Sequence, residues 1–208
     1  ISYSWNETAP KTHVLQPFDL SYIKLAPSSQ FLEVLNNIQN PFLRNSYTDN
    51  FILASKYSYI LNTQNSNKLK NHVYFRGNIE TAGNLLSAVS DSWNPNVNEE
   101  DGSRNIAGIR YAQYVRADVD LRYYQKFTWN RIVYRFASGI GLPYGNSVAM
   151  PFEKSFFAGG ANGLRAWRVR ELGPGNLPDS IERNVDQIGN MSLEGNVEWR
   201  IPVTSILE

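Results

Sequence analysis

The residue types that could support chemistry are few and lie far apart in the sequence. The glycine-rich run 159–163 is not followed by the Lys and Ser/Thr of a phosphate-binding loop, and no helical pattern opens after it. His13 and His72 are the only histidines and fall on different predicted strands, and the chain has no cysteine. A metal site or a histidine-based triad is therefore not indicated. Ser155 lies outside any nucleophile-elbow pattern, so the sequence predicts no enzyme and no cofactor.

Two pairs of carboxylates lie in stretches that alternate apolar and polar residues, namely Asp118 with Asp120 and Glu194 with Glu198. On a strand, such spacing places each pair on one face among arginines, which favours a ladder of charge pairs over an acid/base couple. Arg165 stands in an apolar, glycine-rich stretch and either reaches solvent or folds back to an acid, for which Glu194 or Glu198 is the predicted partner. Such a pair acts as a latch only where water is excluded, because an exposed pair contributes only about 0–1 kcal/mol.

The elements that must position these residues are long strands. About seven alternating segments are present, and all but the first are at least twice as long as the common 5–6-residue strand. They cover approximately residues 1–5, 13–25, 50–61, 71–86, 110–125, 130–142 and 187–203. Pro17 predicts a bulge in the second strand, and FLEVLNNI after Ser28 predicts a capped helix. Connections alternate between short turns and long loops along the chain.

This pattern predicts an all-β fold, specifically part of a transmembrane antiparallel β-barrel with long external loops. Aromatic residues cluster beside the short turns, where an interfacial girdle would lie. The predicted girdle consists of Trp5, Tyr59, Tyr123, Trp129 and Trp199. A soluble β-sandwich or lipocalin-like barrel is the alternative, with the apolar face turned inward. The net charge of +1 gives no indication of a nucleic-acid partner.

The longest connection, residues 143–186, is both glycine-rich and apolar. It is too long for an ordinary structureless loop and too apolar for a disordered linker, so it is predicted to be an external loop that folds back into the barrel lumen. Its predicted motif residues are Gly159, Gly160, Gly163, Leu164, Arg165, Ala166, Trp167, Gly173 and Pro174.

The stretch SFFAGGANGLRAWRVRELGPG, followed by a strand that ends NVEWRIP, resembles the barrel domain of BamA/TamA-type outer-membrane protein assembly factors. In that family the long external loop carries a Val/Ile/Leu-Arg-Gly-Phe/Tyr motif and folds back inside the barrel, where its arginine contacts acids of neighbouring strands. Leu164, Arg165 and Trp167 match three positions, whereas Ala166 replaces the glycine. The Arg-Ala-Trp form is similar to that of Bacteroidota members, including TamL-type surface lipoproteins.

The resemblance implies that residues 1–208 belong to one barrel domain of the bacterial outer membrane, with POTRA domains and the terminal strands outside this sequence. It implies a factor that folds or inserts other outer-membrane proteins without a cofactor. Its implied partners are the lipid bilayer, unfolded client proteins and further assembly subunits. The alternatives that stay open are a polypeptide-secreting transporter of the two-partner type, a passive porin-like barrel or one fused to a lipase, and a soluble β-binding module.

Overall fold

The structure is a computed structural model that describes residues 1–37, 41–64, 71–92, 96–97, 102–106, 108–161, 163–173 and 186–202. Its ten strands are β1 Tyr3–Thr8, β2 Lys11–Ile23, β3 Asn50–Asn62, β4 His72–Ala82, β5 Asn96–Val97, β6 Arg104–Ile106, β7 Ile109–Arg110, β8 Tyr114–Lys126, β9 Arg131–Pro143 and β10 Met191–Arg200. Seven of them form one antiparallel sheet in the order β1-β2-β3-β4-β8-β9-β10, and β5-β6-β7 form a small second sheet. In the described residues the large sheet is open, with β1 and β10 as its edges.

The seven predicted strands correspond to the seven strands of the large sheet, which confirms the β-rich fold. Some predicted ends are wrong. β4 ends at Ala82 rather than near residue 86, because Gly83 takes a positive φ of 78° and its amide donates to the Leu53 carbonyl at 3.0 Å. The chain then enters a helix, and β8 begins at Tyr114 rather than at Arg110.

Within the described residues, three α-helices lie in the connections: α1 Ser29–Asn37, α2 Pro41–Ser46 and α3 Asn84–Ser92. The predicted cap of α1 is present, since the Phe31 amide donates to Ser28 Oγ at 3.3 Å. Leu35 of α1 and Leu43 of α2 are buried together against Ile188, which precedes β10. None of the helices in the described ranges is both long enough and apolar enough to cross a membrane.

The predicted irregularity at Pro17 is confirmed. The register between β2 and β3 shifts between Gln16 and Asp19, and Ser55 Oγ donates to the Pro17 carbonyl at 2.7 Å. Because side chains alternate along a strand, the extra residue moves Val14 to the face opposite Phe18. Strict alternation along this segment would have placed both side chains on one face.

The apolar face of the large sheet is exposed, and the charged face is the more covered one. Leu193 is 77% exposed, whereas Glu80 and Asp120 are each 4% exposed. We call these surfaces the apolar face and the polar face. A soluble β-sandwich would bury the apolar side chains instead. Strongly exposed members of the apolar face are Phe18, Leu20, Tyr22, Ile79, Phe136, Leu142, Met191, Leu193, Val197 and Trp199.

Candidate functional site

A ladder of charge pairs crosses the polar face over β8, β9 and β10. Asp120 accepts hydrogen bonds from Arg122 at 2.8 Å and from Arg135 at 3.2 Å, and Arg135 also donates to Glu194 at 2.7 Å. Asp120 and Glu194 both lie opposite Ala137 in the sheet, so Arg135, two residues away on the same face, reaches both. The carboxylates of Asp120 and Glu194 are thus paired with arginines, which agrees with the predicted ladder.

The first part of the connection between β9 and β10 lies on the polar face, where two glycines of β9 receive it. A Cβ added at Gly139 would overlap the Phe156 ring, and one added at Gly141 would lie 2.9 Å from Met150 Cε. The guanidinium of Arg116 stands 4.3 Å from the centroid of the Phe156 ring. Because glycine has no side chain, Gly139 and Gly141 leave two slots on β9, which Phe156 and Met150 of the connection fill.

The last part of the connection lies beside the first. Phe156 and Gly189 exchange two backbone hydrogen bonds of 2.9 and 2.8 Å, and the Gly141 amide donates to the Asn190 carbonyl at 2.7 Å. We call residues 149–157 together with 186–190 the base of the connection. The base thus joins β9 to the start of β10.

Helices α1 and α2 cover the other side of the base. Tyr47, which follows α2, packs its ring on Phe152 with centroids 4.8 Å apart. Burial of this phenol, together with the nearby carboxylate of Asp186, raises the pKa of Tyr47 to about 12. The base is therefore enclosed between the sheet and the helices.

A charge cluster links the base to β4. Lys154 Nζ lies 2.7 Å from Glu80 Oε1, and the Tyr114 hydroxyl donates to the same oxygen at 2.6 Å. The Glu80 side chain is 5% exposed, Tyr114 is fully buried, and Asp19 lies 3.8 Å from Lys154. Sequence reasoning missed this cluster. Alternation indicated only that Glu80 lies on the polar face, and nothing in the spacing related it to Lys154.

Residues 158–161 and 163–170 form what we call the motif hairpin. The Arg170 amide donates to the Ala158 carbonyl and the Gly160 amide to the Trp167 carbonyl, both at 3.0 Å. Gly159 takes a φ of +92°, and the Arg168 carbonyl fills the space of its missing Cβ. Seven of the predicted motif residues come together here: Gly159, Gly160, Gly163, Leu164, Arg165, Ala166 and Trp167. Gly173 packs on Gln187, and Pro174 lies outside the described residues.

The expected ion pair of Arg165 with Glu194 or Glu198 is not formed. Arg165 is exposed and lines a cavity of about 490 Å³ between the motif hairpin and β8–β10. Arg135 is the partner of Glu194, and Arg200 is the partner of Glu198 at 3.0 Å. The physical reason is proximity, because arginines on the same strand or the next one reach these acids first. Arg165 acts on Glu198 only as a nearby positive charge.

The predicted girdle residues lie at the end of the sheet where β1 joins β2, β3 joins β4 and β8 joins β9. Trp5 stacks on His13 with ring centroids 5.0 Å apart, and Tyr59 lies 5.2 Å from the same imidazole. Tyr123 packs beside Tyr134 on the apolar face. Trp129 is in the β8–β9 turn and Trp199 is at the end of β10, and both are exposed.

Comparison with known proteins gives a family match. The model described as the Omp85 superfamily domain matches residues 34–208. The matched region includes β3 to β10, the base and the motif hairpin. No curated protein matches the chain.

Proposed function

The chain belongs to the Omp85 superfamily, and from this membership we propose that it folds or inserts other proteins of the bacterial outer membrane. Membership in the superfamily fits either assembly or secretion of proteins at that membrane. The similarity of SFFAGGANGLRAWRVRELGPG and NVEWRIP to assembly factors of the BamA/TamA type supports assembly. The proposed partners are the lipid bilayer, unfolded client proteins and further assembly subunits.

We propose that the large sheet is part of a transmembrane barrel. The supporting observation is the exposed apolar face, which suits contact with lipid, together with aromatic residues at one end of the strands. The edges of β1 and β10 carry backbone groups that need partners, since unsatisfied groups in hydrocarbon cost several kcal/mol each. The rest of the barrel would supply those partners, and the polar face would line the lumen.

One observation carries the proposal for the connection: its base fills the glycine slots of β9 on the polar face. In a closed barrel the connection would therefore brace the lumen from inside and present the motif hairpin there. In this scheme the protein performs no covalent step and needs no cofactor. Its role would be to maintain the polar interior of the barrel next to the site that receives a client strand.

Depletion of the full-length protein tests the assembly function. We expect folded barrels of several client proteins to fall together, measured as heat-modifiable bands in isolated outer membranes. Loss of one secreted polypeptide with normal client barrels would instead identify a transporter. Normal levels of both, together with ion conductance of the purified protein, would identify a porin.

Complementation tests the role of the motif. A gene carrying Arg165→Ala should restore the client barrels poorly although the variant itself reaches the membrane. Arg168→Ala is the matched control, because Arg168 is an exposed arginine of the same hairpin. Equal complementation by both variants would contradict a special role for Arg165.

Within the superfamily we propose the TamL-like branch of Bacteroidota. The support is Ala166, which gives the Arg-Ala-Trp form of the motif. Members of this branch are surface lipoproteins, so mass spectrometry of the native full-length protein should find a lipid-modified amino terminus. An unmodified mature terminus would favour another branch.

A further inference from the structure

We propose that Lys154 and Glu80 form the charge pair that positions the β9–β10 connection on the polar face. Glu80 lies within β4, and Lys154 lies in the 3₁₀ turn Phe152–Lys154 of the base. The pair thus joins two parts of the molecule that are far apart in sequence. It takes the anchoring role for which the sequence had indicated Arg165.

The surroundings of Glu80 show why it needs this partner. Its side chain is 5% exposed, and its Oε1 receives both the Lys154 ammonium at 2.7 Å and the Tyr114 hydroxyl at 2.6 Å. A carboxylate removed from water is stable only when it is paired and hydrogen-bonded. Tyr114 supplies a neutral donor and Lys154 supplies the positive charge in direct contact with Glu80. Arg116, opposite Glu80 in the sheet, is a second nearby positive charge, and it is paired with Asp118.

The position of Lys154 in the chain makes the pair a positioning device. Two residues later, Phe156 fills the slot at Gly139 beneath the guanidinium of Arg116. The amide of the intervening Ser155 donates to the Pro151 carbonyl at 3.0 Å, and its hydroxyl donates to the same oxygen at 3.1 Å. Because this turn is internally fixed, the distance between Lys154 and Phe156 is set. Docking of Lys154 on Glu80 therefore places the Phe156 ring over its slot.

A contrasting ion pair is found on β1 and β2. Lys11 and Glu7 are 3.5 Å apart, and their side chains are 37% and 52% exposed. Water solvates both groups, so this pair contributes little. It is the matched control for a test of the Lys154–Glu80 pair.

Hydrogen exchange of the full-length protein in lipid bilayers tests the proposal. Lys154→Met and Glu80→Gln each leave one charge without its partner, so exchange in residues 150–157 should accelerate by at least about tenfold. The double variant removes both charges and should exchange more slowly than either single variant. Lys154→Arg should stay close to wild type, as should Lys11→Met.

The double variant distinguishes a charge pair from simple packing. Packing losses would add, so a double variant that exchanges faster than both single variants would overturn the proposal. Unchanged exchange in both single variants would overturn it as well. If Lys154→Met does not reach the membrane, the exchange rates of the other variants still test the proposal. The double variant should exchange more slowly than Glu80→Gln, and Lys154→Arg should stay close to wild type.

The consequence for client assembly rests on the proposed function, whereas the exchange measurement does not. Accelerated exchange with normal client barrels would leave the positioning role supported and count against a part for the connection in assembly. Reduced client barrels with unchanged exchange would count against the positioning role and leave the assembly function supported.

Discussion

The base and the motif hairpin follow one another in a single connection, yet they are held in different ways. Met150 is fully buried and Ser155 is nearly so, and the base contacts β2, β4, β8 and β9 as well as α1 and α2. In the hairpin, Leu164 and Trp167 are each 49% exposed, and backbone hydrogen bonds within the hairpin maintain its shape. The motif residues that stand out in the sequence are thus exposed on the hairpin. Residues of the base, which form no evident motif, attach the connection to the sheet.

This difference separates stability from function. Substitutions in the base should detach the connection from the sheet and lower the free energy of unfolding. Changes at the tip of the hairpin should leave that free energy nearly unchanged and affect only what the hairpin contacts. Substitutions at Gly139, Tyr47 and Arg165 test this separation.

Gly139→Leu should give the largest effect. The added side chain would occupy the space of the Phe156 ring, so we expect a cost of about 3 kcal/mol or more in the free energy of unfolding. Gly195→Leu is the control, because a Cβ at Gly195 meets no atom within 4 Å and the residue lies on the exposed apolar face of the next strand. Urea titration of both full-length variants in detergent measures the difference. Equal costs would show that the slot does not hold the connection.

Tyr47 provides a pH-dependent test of the base. Burial raises the pKa of Tyr47 from 10.0 to about 12, so the folded protein holds this proton more tightly than the unfolded chain. The resulting stability is present below pH 10 and is lost as the pH rises through about 12. Solvent screening of this partly exposed group keeps the loss to about 2 kcal/mol or less. Urea midpoints between pH 9 and 12 should fall more steeply for wild type than for Tyr47→Phe. Parallel curves would contradict the enclosed position of this phenol.

Arg165→Ala should have the smallest effect on stability, within about 0.5 kcal/mol, because the residue is exposed. The same urea titration measures it, with Arg168→Ala as the control. A loss of about 3 kcal/mol or more would mean that Arg165 has a buried acidic partner. In that case the hairpin would be an attachment point, and the contrast with the base would fail.

Local patterns in the sequence were sufficient to predict the long strands, although not all of their ends. Alternation with period two identified all seven strands of the large sheet, Pro17 identified the bulge, and Ser28 identified the start of α1. Helix α3 was missed because its apolar residues continue the run of β4 after Gly83. The short strands β5–β7 lie in a polar stretch with no alternation to reveal them.

The candidate site was predictable only where its residues are close in sequence. The glycines and Leu164–Trp167 form one hairpin because turn chemistry is local. The partners of the acids were not predictable from the motif. Glu198 is taken by Arg200, two residues away on the same strand, and Glu80 is taken by Lys154 from a distant loop. The partner of each acid depends on proximity in the folded protein, which spacing along the chain does not specify.

The backbone bridge between Phe156 and Gly189 has a consequence for the order of folding. β9 and β10 are adjacent in the sheet, but the whole connection separates them along the chain, and closing a long loop costs conformational entropy. Docking of Met150 and Phe156 on β9 involves only a short stretch of chain after that strand. Once docked, Phe156 offers its amide and carbonyl to Gly189, which brings Met191 to the edge of β9. We therefore expect the base to fold before β10 pairs, so that this connection acts as the nucleus for addition of the next strand.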